Sequence, residues 1–283
     1  DIADTAGFIS IYPQGALDIN GADPGTTPST SWLHKSPTNH NDVNFIAAII
    51  DTLSNEFLVD QQRIYACGYS EGGIFSYELG CRLNHRIAAF ASVSGSMLTD
   101  FFRNDYGFGI CAPSHPTAVM LIPGTLDGSF HATYTGFQPY YLSANEITDY
   151  WSNYNQTDQN PIVTSLPDIN TSDGSTVEKK EWANGDNCVS VVELTVNGGG
   201  HDWPGSFGNM DISASAEIWK FVSKYDLNGL INCNLTFNQN LLQKNKNLLN
   251  IFDQLGRKVK KDYNQINFYF YDDGSVEKKV IIN

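Results

Sequence analysis

Positive charge is scarce in this sequence. Seventeen Lys and Arg stand against 31 Asp and Glu in 283 residues, a formal net charge of −14, which excludes a nucleic-acid partner because such a partner needs a basic face. Long apolar runs are missing as well: nothing approaches the roughly 20 residues that cross a bilayer, so no transmembrane segment is expected. Cysteine is sparse and odd in number, at five, and no pair has the C-x-x-C spacing of a zinc or redox site, so no metal is expected. Cys67 lies in an apolar run and reads as a buried free thiol. Cys81 and Cys111, and less clearly Cys188 and Cys233, fall near the ends of expected elements, where disulfides could form in an oxidising compartment; their pairing stays open. An initial Met is absent too. The opening "DIADTAGFISIYPQG" reads as a helix running into a strand at 8–12 with no strand before it, so the chain is expected to begin inside a domain whose first strands it lacks.

What the sequence does contain is alternation. Residues 42–58 repeat apolar groups at helical spacing, with Asp42 placed to cap the start. Short apolar strands are expected at 64–67, 88–93, 119–122 and 191–196, and helices at 73–83, 144–155 and 211–225. Ser143 with Glu146 three residues on forms a capping box before the second of these helices. Strands alternating with helices predict an α/β fold with a mostly parallel sheet covered on both faces. After Tyr225 the texture becomes Asn-rich, "LNGLINCNLTFNQNLLQKNKN", and the charge inverts: residues 234–283 carry eight Lys or Arg and five Asp or Glu, against 9 and 26 in residues 1–233. The expected organisation is an α/β domain at 1–228, an Asn-rich linker at 229–243 and a small all-β module at 244–283, with strands around a Leu-Gly-Arg turn and an Asp-Asp-Gly turn.

The chemistry centres on "RIYACGYSEGGIF", residues 63–75. An apolar strand stops at glycine and helical spacing begins at Gly73, which puts Ser70, between Gly68 and Gly72, on a strand-to-helix turn. Gly-x-Ser-x-Gly in that context is a nucleophile elbow. A serine hydroxyl needs a base, and the base needs a carboxylate to hold its tautomer. In this arrangement they follow in the order serine, acid, histidine, each on a loop after a strand. "LIPGTLDGSF" supplies Asp127, the only carboxylate between its strand and Glu146; Asp149 is a poorer candidate because it lies within the expected helix. "VNGGGHDWPG" supplies His201 beyond the last strand, whereas His34, His40, His85, His115 and His131 precede that strand, and a surface role suffices for most of them. Taken singly, Asp127 reads as a turn residue and His201 as a loop histidine beside Trp203; their order favours a triad. The backbone N–H of Glu71, next to the serine, is the expected oxyanion donor. Between Asp127 and the next helix, "GSFHATYTGFQPYYLS" carries Phe130, Tyr134, Phe137, Tyr140 and Tyr141, suited either to an acyl or sugar site or to packing of the loop itself. Tyr69, Phe130, Tyr134 and Trp203 are the candidates for substrate contact.

The segments "GFISIYPQG", "DVNFIAAIIDTL", "VDQQRIYACGYSEGG", "IPGTLDG" and "NGGGHDWPG" together resemble the secreted esterase family of α/β-hydrolases that includes polyhydroxybutyrate depolymerases, feruloyl esterases and acetylxylan esterases. The resemblance implies an α/β-hydrolase fold with Ser70 as nucleophile, Asp127 as acid and His201 as base. It also implies an ester substrate, feruloyl or acetyl on plant polysaccharide or alternatively polyhydroxybutyrate, and no cofactor. The family's early strand and its His-Gly loop, source of a second oxyanion N–H, have no counterpart here. That departure motivates a rival expectation, a non-catalytic surface-binding protein on a degenerate hydrolase scaffold. The tail, through "DQLGR" and "YDDGSVEKKVII", resembles a short form of the C-terminal sorting domain of Bacteroidetes type IX secretion. This implies the secretion machinery as a partner and a secreted or cell-surface location.

Overall fold

Uninterrupted apolar strands are stable only where both faces of a sheet are covered, and in the computed structural model the two most apolar segments lie in the interior of a six-stranded sheet. The structure describes residues 2–17, 30–33, 42–105, 107–233, 248–254, 256–260, 266–272 and 276–280. It divides into two compact units, Asp1–Cys233 and Asn234–Asn283.

The first unit opens with helix α1 (Ile2–Ala6), the paired strands β1 (Ala16–Leu17) and β2 (Thr30–Ser31), and helix α2 (Asp42–Glu56). It continues as β3 (Tyr65–Tyr69), α3 (Glu71–Arg82), β4 (Ala89–Val93), α4 (Asp100–Asp105), β5 (Ala118–Ile122), α5 (Ala144–Asn155), β6 (Ile162–Ser165), β7 (Thr176–Trp182), β8 (Val191–Asn197) and α6 (Ala214–Val222), closing with the pair β9 (Tyr225–Asp226) and β10 (Gly229–Leu230). The sheet order is β3-β4-β5-β8-β7-β6. Its first four strands are parallel; β7 runs antiparallel to β8, and β6 to β7. Successive side chains alternate between faces as the period of two requires. Phe90, Val119 and Leu121 pack with Ile74 and Phe75 of α3 and Trp151 of α5. Ala91, Met120 and Leu194 pack on the other face with Ile218, Phe221 and Val222 of α6. The capping box at Ser143 is formed, Ser143 Oγ accepting from Glu146 N and Glu146 Oε2 accepting from Ser143 N. The Asp42 carboxylate, at the start of α2, accepts from the N–H of Leu33 at 2.8 Å.

Several expectations are corrected. Residues 8–12 form no strand, and Ile9, Ile11 and Tyr12 are exposed. Their alternation suits a pleated surface, but a strand is held by its ladder, and among the described residues β3 pairs with β4 alone. The same edge position leaves Cys67, the one free cysteine, exposed as a residue, while burial of its thiol raises the group above its ordinary range. Strands β6 and β7 lie outside the expected elements; β7, "TVEKKEW", carries a run of four charged residues at its centre in place of apolar alternation, and Lys180 reaches across to the buried Glu193 of β8 at 3.1 Å. Disulfides join Cys81 to Cys111 and Cys188 to Cys233. The second bridge, with the β9–β10 pair, places residues 229–233 in the first unit rather than in a linker, and residues 234–243 of that linker lie outside the described residues.

The second unit is an antiparallel sheet of β11 (Leu248–Phe252), β12 (Lys258–Val259), β13 (Ile266–Tyr271) and β14 (Val276–Val280), ordered β12-β11-β13-β14. Asp253 closes the turn between β11 and β12, its N–H donating to the Arg257 carbonyl at 2.9 Å and its carboxylate accepting from Arg257 Nε at 2.7 Å. Gly256 takes the left-handed conformation there, at φ 75°. Most of the expected Asp-Asp-Gly turn, residues 273–275, lies outside the described residues. Among the described residues of the chain, no helix is long and apolar enough to cross a membrane.

Candidate active site

Ser70 is the single residue between β3 and α3, and its backbone is strained, at φ 55° and ψ −120°. A non-glycine residue held there costs on the order of 1–3 kcal/mol and persists only where its surroundings enforce it. The surroundings are crowded backbone. A Cβ on Gly68 would meet the Gly72 carbonyl oxygen at 2.0 Å, and one on Gly95 would meet that of Ser70 at 2.5 Å. The Ser70 N–H donates to the Val93 carbonyl at 2.9 Å, while its own carbonyl accepts from Gly73 and Ile74 at 2.9 and 3.1 Å. The glycines thus let β3, the turn after β4 and the start of α3 close on one point, and the serine side chain stands at the N-terminal end of a 12-residue helix.

The loops after β5 and β8 are laced together. Val196 N–H donates to the Pro123 carbonyl at 2.9 Å, Thr125 N–H to that of Val196 at 3.0 Å, and Leu126 N–H to that of Gly199 at 2.8 Å. A Cβ on Gly124 would lie 2.3 Å from the Gly200 carbonyl oxygen, so the approach requires glycine. This contact brings Asp127 and His201 together. Asp127 is 3% exposed; its Oδ2 lies 2.8 Å from His201 Nδ1, and its Oδ1 accepts from Ser129 N at 2.9 Å. His201 Nε2 lies 2.9 Å from Ser70 Oγ. With Nδ1–H donating to the carboxylate, Nε2 carries the lone pair and faces the serine proton, the tautomer a general base needs. Tyr69 props the loop from below, its hydroxyl donating to the His201 carbonyl at 2.7 Å. Burial, and then the charges of Asp127 and Asp202, raise the Tyr69 phenol above its ordinary range, which keeps it a donor.

Beside Ser70 opens a cleft of about 520 Å³ lined by Glu71, Ile74, Phe102, Phe130, His131 and Tyr141, within the range of small-ligand sites. Phe102 arrives on α4, which is pinned to α3 by a fully buried ion pair between Arg103 and Glu78. Thr99 Oγ1 caps that helix by accepting from Phe102 N at 3.2 Å, and "TDFFRND" with its N-cap threonine was the sequence signal for it. Phe130 sits 5.8 Å from Tyr141, ring to ring.

Of the four residues expected to contact substrate, Phe130 alone is among those lining the cleft. Tyr69 supports His201 and packs edge-on against Trp203 at 6.2 Å. Trp203 donates Nε1–H to Ser215 Oγ at 3.2 Å, which ties the loop to α6. Tyr134 is partly buried against the core cluster, and its backbone carbonyl accepts from Ala144 N at 3.0 Å. Among the histidines, His115 bonds backbone carbonyls of Pro116 and Asn84, His85 is exposed, and His34 and His40 lie outside the described residues. His131 departs from the surface expectation: it lines the cleft with Nε2 3.2 Å from Ser70 Oγ. Its place four residues after Asp127, on the same loop, was the available hint.

No family model matches the chain. Over 228 residues it is 25% identical to the bifunctional acetylxylan esterase/xylanase XynS20E of Neocallimastix patriciarum, a match that covers 81% of this chain and 28% of that protein. Over 206 residues it is 27% identical to feruloyl esterase B of Piromyces equi, covering 67% of this chain and 32% of the relative. A solved acetyl xylan esterase from Aspergillus awamori is similar at a TM-score of 0.42 and 12% identity, over 65% of this chain and 67% of that one. The chain, similar to esterases at this level, spans about three-tenths of the length of the two curated relatives.

Proposed function

We propose that this protein is a serine carboxylic-ester hydrolase with an α/β-hydrolase fold, acting on feruloyl or acetyl esters of plant polysaccharide. The observation that carries this reading is the unbroken line from Ser70 Oγ through His201 to the buried Asp127, set at the mouth of the cleft. An ester carbonyl in the cleft is attacked by Ser70 Oγ as His201 Nε2 takes the serine proton. Asp127 holds the imidazolium that forms. His201 then gives this proton to the departing alcohol oxygen, which leaves an acyl-serine, and a water deprotonated by His201 releases the acid. The Glu71 N–H, at the start of α3, donates to the developing oxyanion. No cofactor enters these steps.

The names of the relatives support polysaccharide esters over polyhydroxybutyrate, and Phe102, Phe130 and Tyr141 offer flat apolar surface to an aromatic acyl group. A surface-binding scaffold has no use for a buried carboxylate aligned behind a histidine, so the geometry favours the enzyme over that rival. The second unit we read as an export module that presents the protein to secretion machinery and leads to a location outside the cell. Its separate sheet and inverted charge support this, as do the two disulfides of the first unit. The test of the enzymatic reading is labelling with a fluorophosphonate probe alongside hydrolysis of feruloylated and acetylated xylan. Wild type is expected to be labelled and Ser70→Ala not, with the variant's chemical step slowed by about a millionfold. Equal labelling of both would overturn it.

A further inference from the structure

Two imidazoles flank the Ser70 hydroxyl. His201 Nε2 is 2.9 Å from Oγ and His131 Nε2 is 3.2 Å from it. A hydroxyl has one proton to donate and lone pairs to accept with. Because His201 Nδ1 is engaged by Asp127, the serine proton is committed to His201 Nε2. His131 Nε2 therefore faces an oxygen lone pair, and only an N–H makes that contact attractive. The two rings stand edge to face, 86° apart with centroids at 6.0 Å, and so approach Oγ from different directions.

His131 and Glu71 line the cleft, whereas His201 and Asp127 are not among its lining residues. An ester carbonyl entering the cleft comes to Oγ from the side of His131 and Glu71. Once Oγ bonds the acyl carbon, the negative charge collects on the carbonyl oxygen, two bonds beyond the atom that His131 addressed. We infer that His131 Nε2–H is a side-chain oxyanion donor, acting on the same oxygen as the Glu71 N–H and completing a pair of donors. The ring is held for this role. Its backbone carbonyl accepts from Ser96 N at 3.2 Å, and its imidazole lies 4.9 Å from the Phe130 ring and 6.4 Å from that of Tyr141. Apolar aromatic surface beside the ring lowers the local dielectric and so strengthens a donor aimed at developing charge.

This assignment rests on the esterase reading, and the experiments separate the two. In the full chain, His131→Ala is expected to lower kcat by about a hundredfold to a thousandfold, the usual cost of one oxyanion donor, with KM changed only a few-fold. His131→Gln, which restores an N–H at the end of a side chain, is expected to recover a measurable part of that loss. Nitrogen-15 NMR of the wild type is expected to show His131 protonated at Nε2, a measurement independent of how either variant folds. A bare Nε2, wild-type kcat in a folded His131→Ala, or a folded His131→Gln no better than alanine each overturns the donor role while Ser70→Ala remains inactive. A wild type without ester turnover overturns the esterase reading and the donor role together.

Discussion

On one side of Ser70 the functional groups hang from backbone pressed to contact distance; on the other they belong to aromatic side chains brought from separate segments. Asp127 and His201 sit on loops whose carbonyls and amides interlock, at a point where even one added methyl group would strike a carbonyl oxygen. The cleft wall takes Phe102 from α4, Phe130 and His131 from the loop after Asp127, and Tyr141 from the turn before α5. Position on the first wall is set by main chain and admits little variation. On the second it is set by packing of rings, and there shape can change without displacing Ser70.

The sharpest way to break the first wall is Asp127→Asn, which keeps the geometry and loses the tautomer. Steady-state turnover is expected to fall about ten-thousandfold, and a loss below tenfold would direct the acid role to another carboxylate. Next is Gly124→Ala, whose Cβ would lie 2.3 Å from the Gly200 carbonyl oxygen. Pushing the loops apart is expected to cost about a hundredfold in kcat, as a misplacement near 1 Å does, and about 1–3 kcal/mol of stability by chemical denaturation. Gly128→Ala, with nothing within 4 Å of its Cβ, is the control and should stay within about 0.5 kcal/mol of wild type. If both glycines behave alike, backbone crowding is not what positions Asp127. Phe130→Ala probes the second wall. Phe130 is 57% exposed, so stability should hold, while KM for feruloyl esters rises by up to about tenfold, the worth of a partly buried ring. Acetyl esters should respond little, and an equal effect on both would remove Phe130 from acyl recognition. Smallest of all should be the effect of ending the chain after Cys233. Turnover per folded molecule is expected to be unchanged, with the protein retained inside the producing cell; lost turnover in a folded truncation would assign the tail to the site.

The same contrast explains what was readable from sequence. Ser70, Asp127 and His201 could be located because a sharp turn and a close loop contact demand glycine, and glycine is visible in a sequence. Strands buried on both faces were visible as apolar runs, and β4, β5 and β8 lie within a residue or so of the expected positions. Where a signal depended on partners elsewhere in the chain, it failed. Residues 8–12 have a strand's alternation without a ladder among the described residues, and β7 has a ladder without a strand's apolar pattern. Tyr134 and Phe130 share one loop and look alike on paper, yet one ring turns to the core and the other to the cleft. His131 is hidden for the same reason: its place four residues after Asp127 is a hint, but the fold alone sets its Nε2 3.2 Å from Ser70 Oγ.

The bridge between Cys188 and Cys233 has a mechanical consequence. It closes a covalent loop, 45 residues from cysteine to cysteine, that contains β8, His201, Trp203 and α6. Tension applied through the tail enters the first unit at Cys233 and crosses the sulfurs to Cys188, so residues 189–232 are shunted out of the line of force. A protein held by its tail and tugged by flow, or by an insoluble polymer, would keep the histidine loop unloaded for as long as that bond is oxidised. Reduction would place β8 and its histidine directly in series with the pull.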